Sequence, residues 1–176
     1  MKPSRGLTII AGTVAVVSLC SVAAMGFEPI TATIRVSNGA LYDYVVIGEH
    51  HNATDGFDNA YDTVSPGNLN ADMGEPFISV IIAHPDWKPA ARELRGDVRL
   101  PGKRQEWELA IRSSLPKGET LKVALDPKRG VPPKSVRLTL KGSRDVKEEE
   151  LAGGARTLSA PGPGKTLYVT VVAEQP

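Results

Sequence analysis

Residues 106–112 alternate without a break. Trp107, Leu109 and Ile111 fall on one side, while Glu106, Glu108 and Arg112 fall on the other. A period of two puts one face in a core and the other in water, which is strand geometry. The same alternation recurs at residues 31–37, 41–48, 120–126, 135–141 and 166–173, and residues 93–100 carry a weaker version. Residues 77–83 are apolar almost throughout and predict a strand buried on both faces. With 17 Gly and 14 Pro the chain is punctuated too often for long helices, and Asn38-Gly39 reads as a hairpin turn. Seven to nine short strands without an amphipathic helix predict an all-β fold: an antiparallel β-sandwich, immunoglobulin-like or jelly-roll-like, with Trp107 as core anchor.

The first residues have a different character. Lys2 and Arg5 precede an apolar run from Leu7 to Met25, followed by small residues, the pattern of a secretory signal cut after Ala24 or Gly26. An uncleaved anchor or a lipidated Cys20 are the alternatives, and Leu19 argues against the second. Residues 1–26 are therefore read as a signal peptide, and 27–176 as a single sandwich domain that is exported to the periplasm, the cell surface or the medium, with no membrane contact once the signal is removed. Cys20 is the only cysteine, so the mature chain has no disulfide, thiolate metal site or cysteine nucleophile. Its stability must come from its own core, for which about 150 residues suffice. The whole chain has 21 Lys+Arg against 20 Asp+Glu, and without Lys2 and Arg5 the balance is 19 against 20. Near-neutrality gives no basic face, so nucleic acid is not expected as a partner.

Potential ligands concentrate in one connector, residues 49–62, which continues to Pro76 and is far longer than the usual ~4–6-residue connection. Asp55, Asp58 and Asp62, with Asn52 and Asn59 beside them, are a candidate calcium set, because Ca²⁺ takes several hard oxygen ligands. Gly56 directly after the first Asp excludes an EF-hand. The plainer reading has these side chains capping turns while Phe57 and Tyr61 pack inward. Glu49-His50-His51 invites a transition metal, but neighbouring strand residues face opposite ways, and His84 is the only other imidazole. Asn52-Ala53-Thr54 is formally a glycosylation acceptor.

Later residues add further candidates. Asp97 and Arg99, two apart on one strand face, are expected to pair and, with Tyr61 and Phe57, to anchor the connector. Trp87, in the turn His84-Pro85-Asp86-Trp87, is either a platform for a sugar ring, with His84 beside it, or a cap on the end of the fold. Glu106 and Glu108 could be drawn as a glycosidase pair, although solvent-facing charge is the simpler account. The last strand would pair with another molecule if it lay at an edge, giving a filament subunit.

The sequence of motifs Thr54-Asp55-Gly56-Phe57-Asp58-Asn59-Ala60-Tyr61-Asp62, Pro66, Phe77, His84-Pro85-Asp86-Trp87, Leu94 to Arg99 and Trp107 resembles a module of exported bacterial proteins. That module has a "TDGFDxxYD" loop followed by a His-Pro-acid-Trp turn and an Asp-aliphatic-Arg strand. The resemblance covers about residues 43–111. It implies a secreted β-sandwich without an assigned biochemical role, often found beside surface or carbohydrate-related modules. The function expected is therefore non-enzymatic: structure or interaction at the cell surface or in the periplasm, with a protein or glycan partner, calcium as the one candidate cofactor, and self-assembly as an option. A carbohydrate-binding module is the alternative, then a filament subunit.

Overall fold

The computed structural model describes residues 30–130, 132, 137–142 and 149–176. The signal segment with Cys20, the start of the strand expected at 135–141, and Lys147-Glu148 of the charged stretch lie outside the described residues. The described chain is all-β. Its strands are β1 (Thr31–Asn38), β2 (Leu41–Glu49), β3 (Thr63–Val64), β4 (Ile78–Ala83), β5 (Glu93–Arg99), β6 (Arg104–Ser113), β7 (Thr120–Leu125), β8 (Arg137–Gly142), β9 (Glu149–Glu150), β10 (Arg156–Ser159) and β11 (Thr166–Glu174). A four-residue helix, α1 (Leu69–Asp72), and 3-10 turns at Pro89–Ala91 and Leu151–Gly153 complete it.

The strands hydrogen-bond in one continuous ladder, β10-β7-β1-β2-β5-β4-β6-β11-β8-β9, with β3 added to β5. Among the described residues all pairings are antiparallel except one: β2 runs parallel to β5, with Val46 opposite Gly96 and Glu49 opposite Arg99. The sheet is therefore mixed, which corrects the expectation of a purely antiparallel body. A parallel neighbour cannot be reached by a tight hairpin, so the chain must travel back outside the pair. Residues 50–92 make that return, which is why the long connector exists.

The alternation seen in the sequence places most of the inward apolar residues in a single core. Ile34, Ile47, Val80, Leu94, Leu109, Leu121, Leu138 and Val171 are all buried, and Trp107 at 0 % exposure is the largest side chain among them. The sheet curls strongly around this core. Its two end strands, β9 and β10, are consecutive in sequence and separated only by residues 151–155, which can span at most about 20 Å. Leu151 of that link is buried in the same core, and Arg156 Nε donates to the Glu150 carbonyl at 2.9 Å.

Four further details differ from expectation. Asn38 pairs with Leu41, so the hairpin loop is Gly39-Ala40, with Gly39 at φ 57°. Asn38 instead donates its side-chain amide to the Thr120 carbonyl at 2.7 Å. The long connector is interrupted by β3 and by α1, whose N-cap Asn68 accepts from the Ala71 amide. Strand β10 has only one buried apolar residue, Leu158, and so left no alternation to read. Finally, β11 sits between β6 and β8, so the last strand is interior and not an edge.

Candidate functional site

The site is built outward from β5. This strand pairs with β2 through its C-terminal half and with β4 and β3 through its N-terminal half. It also holds the connector at its start and near its middle: the His50 amide donates to the Arg99 carbonyl and the Ser65 amide to the Glu93 carbonyl, both at 2.8 Å.

Asp97 is the centre of the arrangement and is 1 % exposed. Its Oδ2 accepts from Arg99 Nη2 at 2.8 Å, from Arg99 Nε at 3.1 Å and from His84 Nε2 at 2.9 Å. An ionised carboxylate only accepts, so His84 must carry its proton on Nε2. Burial pushes the Asp97 carboxyl up, but the hydrogen bonds from His84 and Arg99 and the Arg99 charge outweigh it and hold the group below its ordinary value. Arg99 also donates Nη1 to the Glu106 carbonyl at 2.7 Å and lies 5.2 Å from the centre of the Trp107 ring, tying the pair to the core.

The His84 ring stacks on Trp87 with centroids 3.7 Å apart and planes 15° apart. The Trp87 amide donates to the His84 carbonyl, and Arg92 Nε donates to the Trp87 carbonyl at 2.9 Å, closing the turn around the indole. Trp87 is thereby braced by a buried ion pair, one residue removed. Across from it, Phe57 remains 39 % exposed, which corrects its expected inward packing. Together with Gly56, Lys88, Ala90 and Ala91 the two aromatic residues line a groove of about 500 Å³.

The connector's acids serve the backbone. Asp62 Oδ1 accepts from the Val98 amide at 2.9 Å and Oδ2 from the Asp58 amide at 2.7 Å, while Asp58 Oδ1 accepts from the Ala60 amide. Burial pushes the Asp62 carboxyl above its ordinary value; those two amides counter it, and the nearby charges of Asp97 and Asp58 add to the rise. Thr54 donates to the Gly56 carbonyl, and Asp55, Asn52 and Asn59 are exposed. Among the described residues no three or more His, Cys, Asp or Glu side chains are grouped to hold a metal. His50 stacks on the half-buried Tyr61 at 4.8 Å and accepts the Asn52 amide, whereas His51 is exposed. Glu106 is paired with Arg104, and that bond holds its carboxyl below the ordinary value. Glu108 is exposed on the outer face of β6.

Two buried carboxylates escaped the sequence reading. Asp43 pairs with Arg95 and accepts the Val80 amide at 2.9 Å, linking β2 to β4 where β5 is not between them. Glu49, 2 % exposed, accepts from the Gly102 amide at 3.1 Å and from Gln175 at 2.6 Å. Burial pushes its carboxyl above the ordinary value, against both bonds. The signal for each was an acidic residue inside an otherwise apolar strand. Compared with known proteins, the chain matches no family model, no curated protein and no solved structure.

Proposed function

We propose that this protein is an exported, non-enzymatic interaction module whose contact surface is the groove between Phe57 and Trp87. One observation carries the reading: a half-buried indole that lines the groove is held in place by a stack on His84, and His84 is fixed by the buried Asp97–Arg99 pair. Rigid aromatic anchors lose little conformational freedom on binding, which is how recognition surfaces use them. His84 is committed to that brace through both its Nε2 and its ring face, which favours a positioning role over proton transfer. A carbohydrate-binding role is the second reading. It is favoured by the groove itself, which offers two aromatic residues and one lysine, the combination that suits a ring with an apolar face and a polar edge.

We also read the curled ladder as sandwich-like, with β10-β7-β1-β2 and β4-β6-β11-β8-β9 as two layers and β5 passing between them. The Val80-to-Asp43 bond across that seam supports this.

The test is a glycan array and a surface-protein binding screen with the wild type, Trp87→Ala and Phe57→Ala. Binding that is lost in both variants while the melting curves stay cooperative is the expected result. Flat glycan binding overturns the carbohydrate reading. Binding of any partner that is unchanged in both variants overturns the groove.

A further inference from the structure

A second cleft, of about 220 Å³, lies on the outer face of the β1–β2 hairpin, away from the groove. It is lined by Arg35, Tyr42, Tyr44, Asp126, Lys128 and Arg129. Strand geometry builds most of it. Arg35 is directly opposite Tyr44 on β2 and opposite Ala124 on β7, and the small alanine leaves room on one flank. The remaining wall is a turn: Asp126 Oδ1 accepts the Lys128 amide, Asp126 O accepts the Arg129 amide, and Thr33 donates to the Arg129 carbonyl at 2.7 Å. These bonds hold Lys128 and Arg129 over the hairpin.

The guanidinium groups lie over the tyrosine rings. Arg35 sits 4.1 Å from the Tyr42 ring centre and Arg129 4.7 Å from that of Tyr44. Arg95 flanks Tyr44 at 5.2 Å, but its charge is already matched by Asp43. A cation–π contact uses the charge of the guanidinium and consumes none of its N–H donors, which stay available to another partner. Arg35 Nε is buried and has no hydrogen-bond partner among the described residues, so the hydrogen-bonding capacity of Arg35 is not used up within the fold. Asp126 lies 3.9 Å from Arg129 and is the single carboxylate facing the three cations, so the lining keeps a surplus of two positive charges, carried mainly by Arg35 and Lys128.

We propose that this cleft binds a phosphate monoester of a small molecule. A dianionic phosphate matches the surplus charge, its oxygens accept from planar guanidinium edges, and the tyrosines form the adjoining wall. A sulfate monoester shares the chemistry with half the charge and is the weaker ligand.

The test is amide and side-chain NMR titration of the protein with inorganic phosphate, glucose 6-phosphate and glucose 6-sulfate, against sodium chloride at matched ionic strength. Saturable shifts at Arg35, Tyr42, Tyr44 and Arg129 are expected with both phosphates. Sulfate should be weaker, and Arg129→Gln should bind about tenfold less tightly, the loss of one hydrogen bond to a charged group. Arg129 is surface-exposed, so this variant keeps the fold. Shifts that chloride reproduces, or that Arg129→Gln leaves unchanged, would overturn the proposal. So would sulfate binding as tightly as phosphate.

Discussion

Asp97 shows how a single residue can organise a surface it never reaches. Removing its charge leaves Arg99 without a counter-ion and replaces one acceptor oxygen by an NH2 donor that His84 and Arg99 cannot use, so Asp97→Asn should cost about 3 kcal/mol, the lower end for breaking a buried pair. Urea unfolding at neutral pH measures it. The pH dependence has a definite sign. A carboxyl held below its ordinary value of 3.8 stabilises the fold above that value, and the contribution fades as pH falls through the depressed folded one. The gap between wild type and Asp97→Asn should therefore stay constant down to about pH 4 to 5 and close below it. Asp62 and Glu49 act oppositely: their raised values mean that ionisation costs stability at neutral pH, and acidification relieves it. Only the difference between the two proteins isolates Asp97. The Asp97–Arg99 spacing was legible because two residues apart means one strand face. The third member, His84, is thirteen residues away and is brought in by the β4–β5 pairing, which no local pattern encodes.

Among the elements, α1 is too short to persist alone, and Asn68 is what fixes it. Its side chain accepts the Ala71 amide at 3.2 Å and donates to the Ile78 carbonyl at 2.9 Å, joining the helix to the start of β4. Asn68→Ala should cost about 1 kcal/mol, read as a lower urea midpoint with unchanged slope. Strand β11 offers a sharper contrast. Thr170 lies opposite Glu108 on one side and Lys141 on the other, so Thr170→Pro breaks an interior ladder and should cost about 3 kcal/mol or more. Loss of the strand signal in circular dichroism checks this. The alternation of residues 166–173 announced the strand clearly, yet it said nothing of position, because interior and edge strands share one inward face. Likewise β3 and β10 were invisible: two residues of Thr63–Val64 carry no period, and β10 buries only Leu158.

For the molecule as a whole, the all-β class was written in the sequence because burial on one face of a strand forces alternation. The strand order was not, since it depends on which buried faces meet. The parallel β2–β5 pair illustrates the gap: both strands were anticipated, while their relative direction follows from a forty-residue return path. The same lesson applies to the three aspartates of the connector, whose composition suggested an ion. Asp58 and Asp62 accept from backbone amides, and among the described residues the three are not grouped with other acids to form a metal set. Millimolar Ca²⁺ or a chelator should leave the thermal midpoint where it is, whereas a bound ion would raise it by mass action. A differential scanning calorimetry pair settles the matter.

The link at Leu151–Gly153 has a consequence for how the body comes apart. The two margins of the curl are successive pieces of chain, so fraying at one is checked by the other across that short tether. Nicking the peptide between Ala152 and Gly153 removes no ladder bond but lets each margin peel independently. The cut protein should then melt in two transitions where the intact one melts in one.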